Sequence, residues 1–279
     1  MTGRILLFLL IMFLAACSAV PTQQDRRDSI DALALQHDWH GQVIHTAYFE
    51  IQSYLPDQFH PAKQLTIYIE GDGLAWLTRT TVSSNPTPIN PLAFKLALKN
   101  NTPAVAYLAR PCQFVWTSIC EQSLWTSARF SPKIIASMND AVSQLKAEYD
   151  ASSIRLIGYS GGGAVATLLA ARRDDVTQLI TVAGNIDTQF WTKFQHISPL
   201  TGSLNPADYW QQLETIPQIH FVGSEDTIMP KAIAESYQSH FPKNARPEIR
   251  VITGMTHHCC WVQRWPELLQ QIPDILSAK

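Results

Sequence analysis

Residues 154–172 read IRLIGYSGGGAVATLLAAR. The first part is a short run rich in Ile and Leu, and the last part is rich in Ala and Leu. Between them lies Gly158-Tyr159-Ser160-Gly161-Gly162. The pattern predicts a strand over 154–159, a sharp turn, and a helix over 164–172. A serine on such a turn is forced into strained backbone geometry. Glycines two residues to either side leave room for the helix to fold back against the strand. The small run 161–164 extends that logic, and the helix N-terminus aims free N–H groups at the serine. Ser160 is therefore a candidate nucleophile; the plainer alternative is a glycine-rich strand-to-helix turn.

Working outward, short apolar runs alternate with segments of helical period. Strands are expected at 65–70, 104–109, 179–183, 219–222 and 249–253, and 43–54 reads as one strand or two. Helices are expected at 91–99, 132–149, 230–240 and 261–276, the last broken at Pro273. This alternation argues for a mostly parallel sheet with helices on both faces, the α/β class. The stretch 184–215 interrupts the rhythm. It is long, rich in Trp and Pro, and only weakly periodic, as expected of a lid or binding wall. With no linker to divide the chain, 41–279 reads as a single domain.

Composition narrows the function. Of 279 residues, 46% are apolar and 16% charged, which excludes wholesale disorder. The net charge is −2 and no basic run occurs, so the clustered positive footprint of a nucleic-acid binder is missing. A mean hydropathy of −0.04 with one N-terminal apolar run excludes a polytopic membrane protein. That run follows Arg4, spans residues 5–16 and ends in small residues, as a secretory signal does; a short retained anchor is the alternative. Leu14-Ala15-Ala16-Cys17 resembles the lipobox of bacterial lipoproteins. The resemblance implies cleavage after residue 16 and lipid on Cys17. With Ser18 next, it also implies anchoring at the outer membrane of the bacterial cell envelope. Residues 17–40 then read as a lipidated tether and a weak helix.

The turn around Ser160, in its strand–turn–helix setting, resembles that of the α/β-hydrolase family, over about residues 43–277. The resemblance implies a triad acid and then a histidine, each after a later strand. Gly223-Ser224-Glu225-Asp226-Thr227-Ile228-Met229-Pro230 matches the acid loop at Asp226, with Asp187 after the preceding strand as a rival. Gly254-Met255-Thr256-His257 matches the histidine loop at His257, with His258 one residue away. The oxyanion donors would be the backbone N–H groups of Gly161 and Asp72. Glu70-Gly71-Asp72-Gly73 stands where the family carries His-Gly, so Glu70 replaces the usual His. No cofactor is implied. The His pair is followed by contiguous cysteines without C-x-x-C spacing, so no metal site is expected. Gly71-Asp72-Gly73 lacks the following Lys-Ser/Thr of a phosphate cradle.

Cys112, Cys120, Cys259 and Cys260 allow three disulfide pairings, and buried thiols are the alternative. These readings converge on an exported, lipid-anchored serine hydrolase acting on small-molecule acyl esters through Ser160, His257 and Asp226. The alternatives are a serine peptidase or amidase, and a non-catalytic envelope lipoprotein that uses the fold as a scaffold.

Overall fold

The computed structural model describes residues 20–58 and 60–273. Eight strands form one sheet: β1 (Trp39–His45), β2 (Glu50–Pro56), β3 (Gln64–Ile69), β4 (Val105–Leu108), β5 (Ser153–Tyr159), β6 (Val176–Val182), β7 (Gln218–Gly223) and β8 (Glu248–Ile252). Their order is β1-β2-β4-β3-β5-β6-β7-β8. β2 is antiparallel to both β1 and β4, and every other pair is parallel. The 43–54 region is therefore two strands, an antiparallel hairpin at the sheet edge. The parallel part is the alternating strand–helix section predicted from the sequence.

The helices are α1 (Gln23–Leu35), α2 (Leu92–Ala97), α3 (Pro132–Glu148), α4 (Gly161–Ala170), α5 (Thr188–Phe194), α6 (Lys231–Ser239) and α7 (Trp261–Gln270), with a further helical turn at Trp210–Leu213. Strand side chains alternate between two cores. Leu65, Ile67, Ile154 and Leu156 face α3 and α4. Tyr68, Ile157, Tyr159 and Ile180 face α1, α2 and α7. Both sheet faces are thus covered, which is why the central strands read as nearly continuous apolar runs rather than a clean alternation. α7 ends at Gln270, three residues short of Pro273; 271–273 are not helical, and 274–276 of the expected helix lie outside the described residues.

α1 differs from the weak helix expected in a tether. Thr22 and Asp25 form a reciprocal capping box, with Asp25 N–H donating to Thr22 Oγ1 at 3.1 Å and Thr22 N–H to Asp25 Oδ2 at 2.8 Å. Ile30 and Ala34 enter the second core, and the Tyr54 hydroxyl donates to Asp31 at 2.5 Å. The buried Arg26 donates to the carbonyls of Asn85 and Thr87. The packed unit thus includes α1, and its tertiary partners lie too far along the chain for local periodicity to reveal them.

The stretch 184–215 is held to the rest of the domain by hydrogen bonds and packing. Asn205 Oδ1 accepts from Thr188 N–H at 2.9 Å, Leu204 N–H donates to the Phe130 carbonyl at 3.0 Å, and Trp191 packs on Met229 and Ile233.

α4 lies unusually close to the sheet. A methyl group on Gly162 would come within 2.2 Å of the Ile69 carbonyl oxygen, and one on Gly158 within 2.2 Å of the Gly162 carbonyl oxygen. Both obstacles are backbone, which cannot rotate away. Gly162→Ala should therefore destabilise the protein by about 3 kcal/mol, the upper part of the overpacking range. Chemical denaturation checks this; a loss below about 1 kcal/mol would show that the helix can back away.

Candidate active site

Ser160 caps α4 with φ 51° and ψ −120°. A positive φ is costly for a residue with a Cβ and is held only where the surroundings over-determine it. Here they do: Ser160 N–H donates to the Val182 carbonyl at 3.0 Å, and the Ser160 carbonyl accepts from Gly163 and Asn185, both at 2.9 Å. The turn projects the hydroxyl beyond the carboxyl edge of the sheet.

His257 comes from the loop between β8 and α7. Its Nε2 lies 3.0 Å from Ser160 Oγ, and its Nδ1 lies 2.9 Å from Asp226 Oδ2. An ionised carboxylate can only accept, so Nδ1 carries the proton and Nε2 is left to accept from the serine hydroxyl. Asp226 Oδ1 accepts from the N–H groups of Ile228 at 2.9 Å and Met229 at 2.7 Å. Burial alone would raise the Asp226 pKa. The His257 partner and these two N–H groups outweigh it and hold the carboxyl below its ordinary value. The carboxylate stays charged and fixed in orientation. Such a chain can remove the serine proton as Oγ attacks an electrophilic carbon.

The two rivals sit elsewhere. Asp187 is the N-cap of α5, accepting from Phe190 N–H at 3.1 Å, and its other oxygen accepts from the Ser236 hydroxyl at 2.7 Å. His240 Nε2 also lies 3.7 Å from that oxygen, so Asp187 ties α5 to α6 and does not meet His257. His258 Nδ1 lies 3.1 Å from the Tyr159 hydroxyl, which in turn donates to the His257 carbonyl at 3.1 Å. Tyr159, the second residue of the turn motif, also lays its ring against the His257 imidazole at 5.4 Å. His258 and Tyr159 therefore brace the loop that carries His257.

The two expected oxyanion donors are adjacent. A methyl group on Gly71 would lie 3.3 Å from Ser160 Cβ, so the 70–73 loop abuts the nucleophile. Among the described residues, neither Gly161 N–H nor Asp72 N–H is used in a hydrogen bond. The Asp72 carboxylate occupies the space beside Gly161, where any side chain at 161 would collide with it. Arg110 Nη1 and Arg129 Nη1 each reach one Asp72 oxygen at 2.5 Å. Arg110 also donates to the Arg129 carbonyl. Burial opposes ionisation of Asp72, and the two guanidinium groups overcome it, so its pKa falls below the ordinary value.

Sequence reasoning missed both arginines, since Arg110 marked only a strand end and Arg129 stood in an aperiodic loop. It also left Glu70 unexplained. Glu70 is buried, with Oε1 accepting from Gly71 N–H at 2.9 Å and Ala93 N–H at 3.4 Å, and Oε2 accepting from Tyr107 at 3.2 Å. It ties the 70–73 loop to the start of α2. Burial pushes this carboxyl up to about 7 against the pull of those donors. The disulfides are local: Cys112–Cys120 and Cys259–Cys260. Cys17 lies outside the described residues.

No protein-family model matches the chain, and no curated protein matches it in sequence. Solved structures match it in fold. Est1E from Butyrivibrio proteoclasticus is 15% identical, with 83% of this chain and 98% of that one covered at a TM-score of 0.56. An esterase of Pyrococcus furiosus is 16% identical, with coverage of 85% and 89% and a TM-score of 0.56. The α/β hydrolase GrgF from Penicillium sp. sh18 is 14% identical, with coverage of 84% and 95% and a TM-score of 0.58.

The chain has the α/β-hydrolase fold. In this fold open sheets carry their sites beyond the carboxyl ends of the strands, and Ser160, Asp226 and His257 all follow such ends.

Two outcomes follow from the charges around the 70–73 loop. Asp72→Ala leaves two buried guanidinium groups without their carboxylate, so stability should fall by about 3–5 kcal/mol in denaturant titration. Glu70, with its pKa raised to about 7, holds a proton in the folded protein that the unfolded chain has lost above its ordinary value of 4.5. Its contribution is therefore complete below about pH 4.5 and lost as pH rises through about 7. In Glu70→Gln the amide oxygen can still accept from Gly71 and Ala93 while the amide nitrogen donates to Tyr107. That variant should flatten the change in melting temperature between about pH 5 and about pH 8. An unchanged slope would assign it to other groups.

Proposed function

We propose that the protein is a serine hydrolase that cleaves carboxylic esters through an acyl-enzyme. One observation carries the reading: the unbroken chain Ser160 Oγ, His257 Nε2, His257 Nδ1, Asp226 Oδ2, with spacings of 3.0 and 2.9 Å. Ser160 Oγ attacks the ester carbonyl while His257 Nε2 takes its proton. The tetrahedral oxyanion is held by the N–H groups of Gly161 and Asp72. His257 returns the proton to the departing alcohol. Water then attacks the acyl-serine by the same route in reverse and frees the acid. Asp226 keeps the imidazole in the correct tautomer and stabilises the imidazolium.

The fold supports hydrolase chemistry but does not choose a substrate, because it hosts many. Two of the structural neighbours carry the word esterase or the prefix Est in their names, which fits the ester reading. We also propose that the chain is processed before Cys17 and lipidated there, placing it in the bacterial envelope. The support is the lipobox-like Leu14-Ala15-Ala16-Cys17 after an apolar run. A non-catalytic scaffold would have no need of a buried, hydrogen-bonded Ser-His-Asp chain.

A fluorophosphonate probe should label Ser160 alone, and Ser160→Ala should abolish labelling and ester hydrolysis at unchanged melting temperature. His257→Ala should nearly match it, since the two act as a unit. Asp226→Asn should lose about 10⁴-fold in turnover, because the amide favours the wrong imidazole tautomer. Asp187→Asn should act on stability instead. Wild-type turnover in Ser160→Ala would sink the proposal. For the anchor, Cys17→Ser should leave the N-terminus uncut and without lipid; mass spectrometry of the intact protein checks this.

A further inference from the structure

Six of the large hydrophobic side chains that the described residues expose follow the carboxyl ends of strands, the end of the sheet that carries Ser160. Trp76 and Leu77 are 40% and 47% exposed on the loop after β3, and Trp116 and Ile119 are 46% and 48% exposed on the loop after β4. Across the site, Phe194 at the end of α5 and Ile228 on the acid loop are 47% and 40% exposed. A soluble surface tolerates scattered apolar residues, but a concentration of this kind marks an interaction site.

The two loops on the β3/β4 side are built to hold these side chains outward. Beneath them Ala75, Cys112 and Trp125 form a small separate core, the Cys112–Cys120 disulfide closes one loop, and Trp125 Nε1 donates to the Ser83 carbonyl at 3.1 Å. Between the loops and the start of the described chain runs an open groove of about 400 Å³, lined by Val20, Leu74, Leu77 and Trp116. Segments 74–90 and 111–120 contain a single charged residue, the exposed Arg79. No acidic group lies in either segment to repel a phosphate.

The occupant is indicated by where the chain leads. Val20 lines the groove, is 50% exposed and stands three residues after Cys17. Three peptide steps span at most about 11 Å. If Cys17 carries lipid, as proposed above, Val20 lies within that distance of the lipidated residue, and Trp116 lines the same groove as Val20. Trp suits this position, with an apolar body and one N–H to place among headgroups. We infer that the loops 74–90 and 111–120 form a docking surface for a phospholipid bilayer, so that the mouth above Ser160 opens on the membrane and takes long-chain acyl esters from it. The substrate is then an amphiphile presented by a lipid surface, rather than a soluble ester.

This inference rests on the anchor and the hydrolase reading, and its test separates them. Full-length processed protein is purified from membranes and reconstituted in phosphatidylcholine vesicles with brominated acyl chains. Bromine should quench part of the tryptophan fluorescence, and Trp76→Phe with Trp116→Phe should remove most of the quenched fraction. Equal quenching in the double variant, or none in the wild type, overturns the docking surface. Wild-type protein that fails to float with the vesicles overturns both the surface and the anchor. In a second arm, Leu77→Ser with Ile119→Ser should slow hydrolysis of a vesicle-borne long-chain ester by about tenfold and leave a soluble acetyl ester within about twofold. Equal losses on both substrates, or no loss on either, overturn the inference. A wild type that hydrolyses neither ester defeats the hydrolase reading, and the quenching arm alone then decides the docking surface.

Discussion

Everything at the site depends on how near α4 comes to the sheet. The helix starts one residue after Ser160, and its second residue lies against the carbonyls that end β3. That approach holds Ser160 at positive φ, aims α4's first N–H groups at the hydroxyl, and sets the 70–73 loop against Ser160 Cβ. A side chain at 158 or 162 would push the helix away and lose all three together. Interiors are packed too densely to absorb such a shift smoothly. The glycines thus shape the turn as much as Ser160 does.

The second constraint is electrostatic. The carboxylate of Asp72 fills the space that Gly161 leaves, and two arginines hold it there. Two guanidinium groups against one carboxylate leave the cluster with a net positive charge, with the carboxylate the group nearer to Gly161. Buried ion clusters contribute little to stability against well-packed apolar alternatives. Fixing the 70–73 loop against Ser160 is a reason for this one to exist. Glu70 serves the same loop from the other side, tying it to α2 through neutral-end hydrogen bonds.

The legibility of the sequence follows from the range of the interactions involved. The strand, turn and helix around Ser160 are local, so residues 154–172 contain almost the whole description. Asp226 and His257 are readable because each follows a strand in the order that the family resemblance implies and matches that family's loop spacing. The choice of Asp226 over Asp187 rested on loop spacing. The structure gives it a physical reason, since Asp187 is occupied as the cap of α5 and by Ser236. Arg110 and Arg129 were not readable. Their meaning lies in Asp72, which is 38 and 57 residues away, and no periodicity links them. α1 was underrated for the same reason, because Asn85, Thr87 and Tyr54 hold it from afar.

The buried groups of the site lie together: Glu70, Arg110, Ser160, Asp187, Asp226 and His257, with the half-buried Asp72, sit at or just beyond the carboxyl ends of strands. The strands beneath bury mostly Ile, Leu, Val and Ala, together with polar side chains such as Gln52, Arg155 and His220. Apolar burial contributes roughly 1.5–3 kcal/mol for each large side chain, while a buried charge contributes little net. The body of the sheet therefore supplies the stability that the site end consumes in ordering charges and holding a serine in a strained turn. The same division explains how a loop closed by a disulfide can carry an exposed tryptophan: the loop is stiffened by the Cys112–Cys120 link over a small core of Ala75, Cys112 and Trp125. A loop built that way can present apolar side chains to its surroundings without drawing them inward.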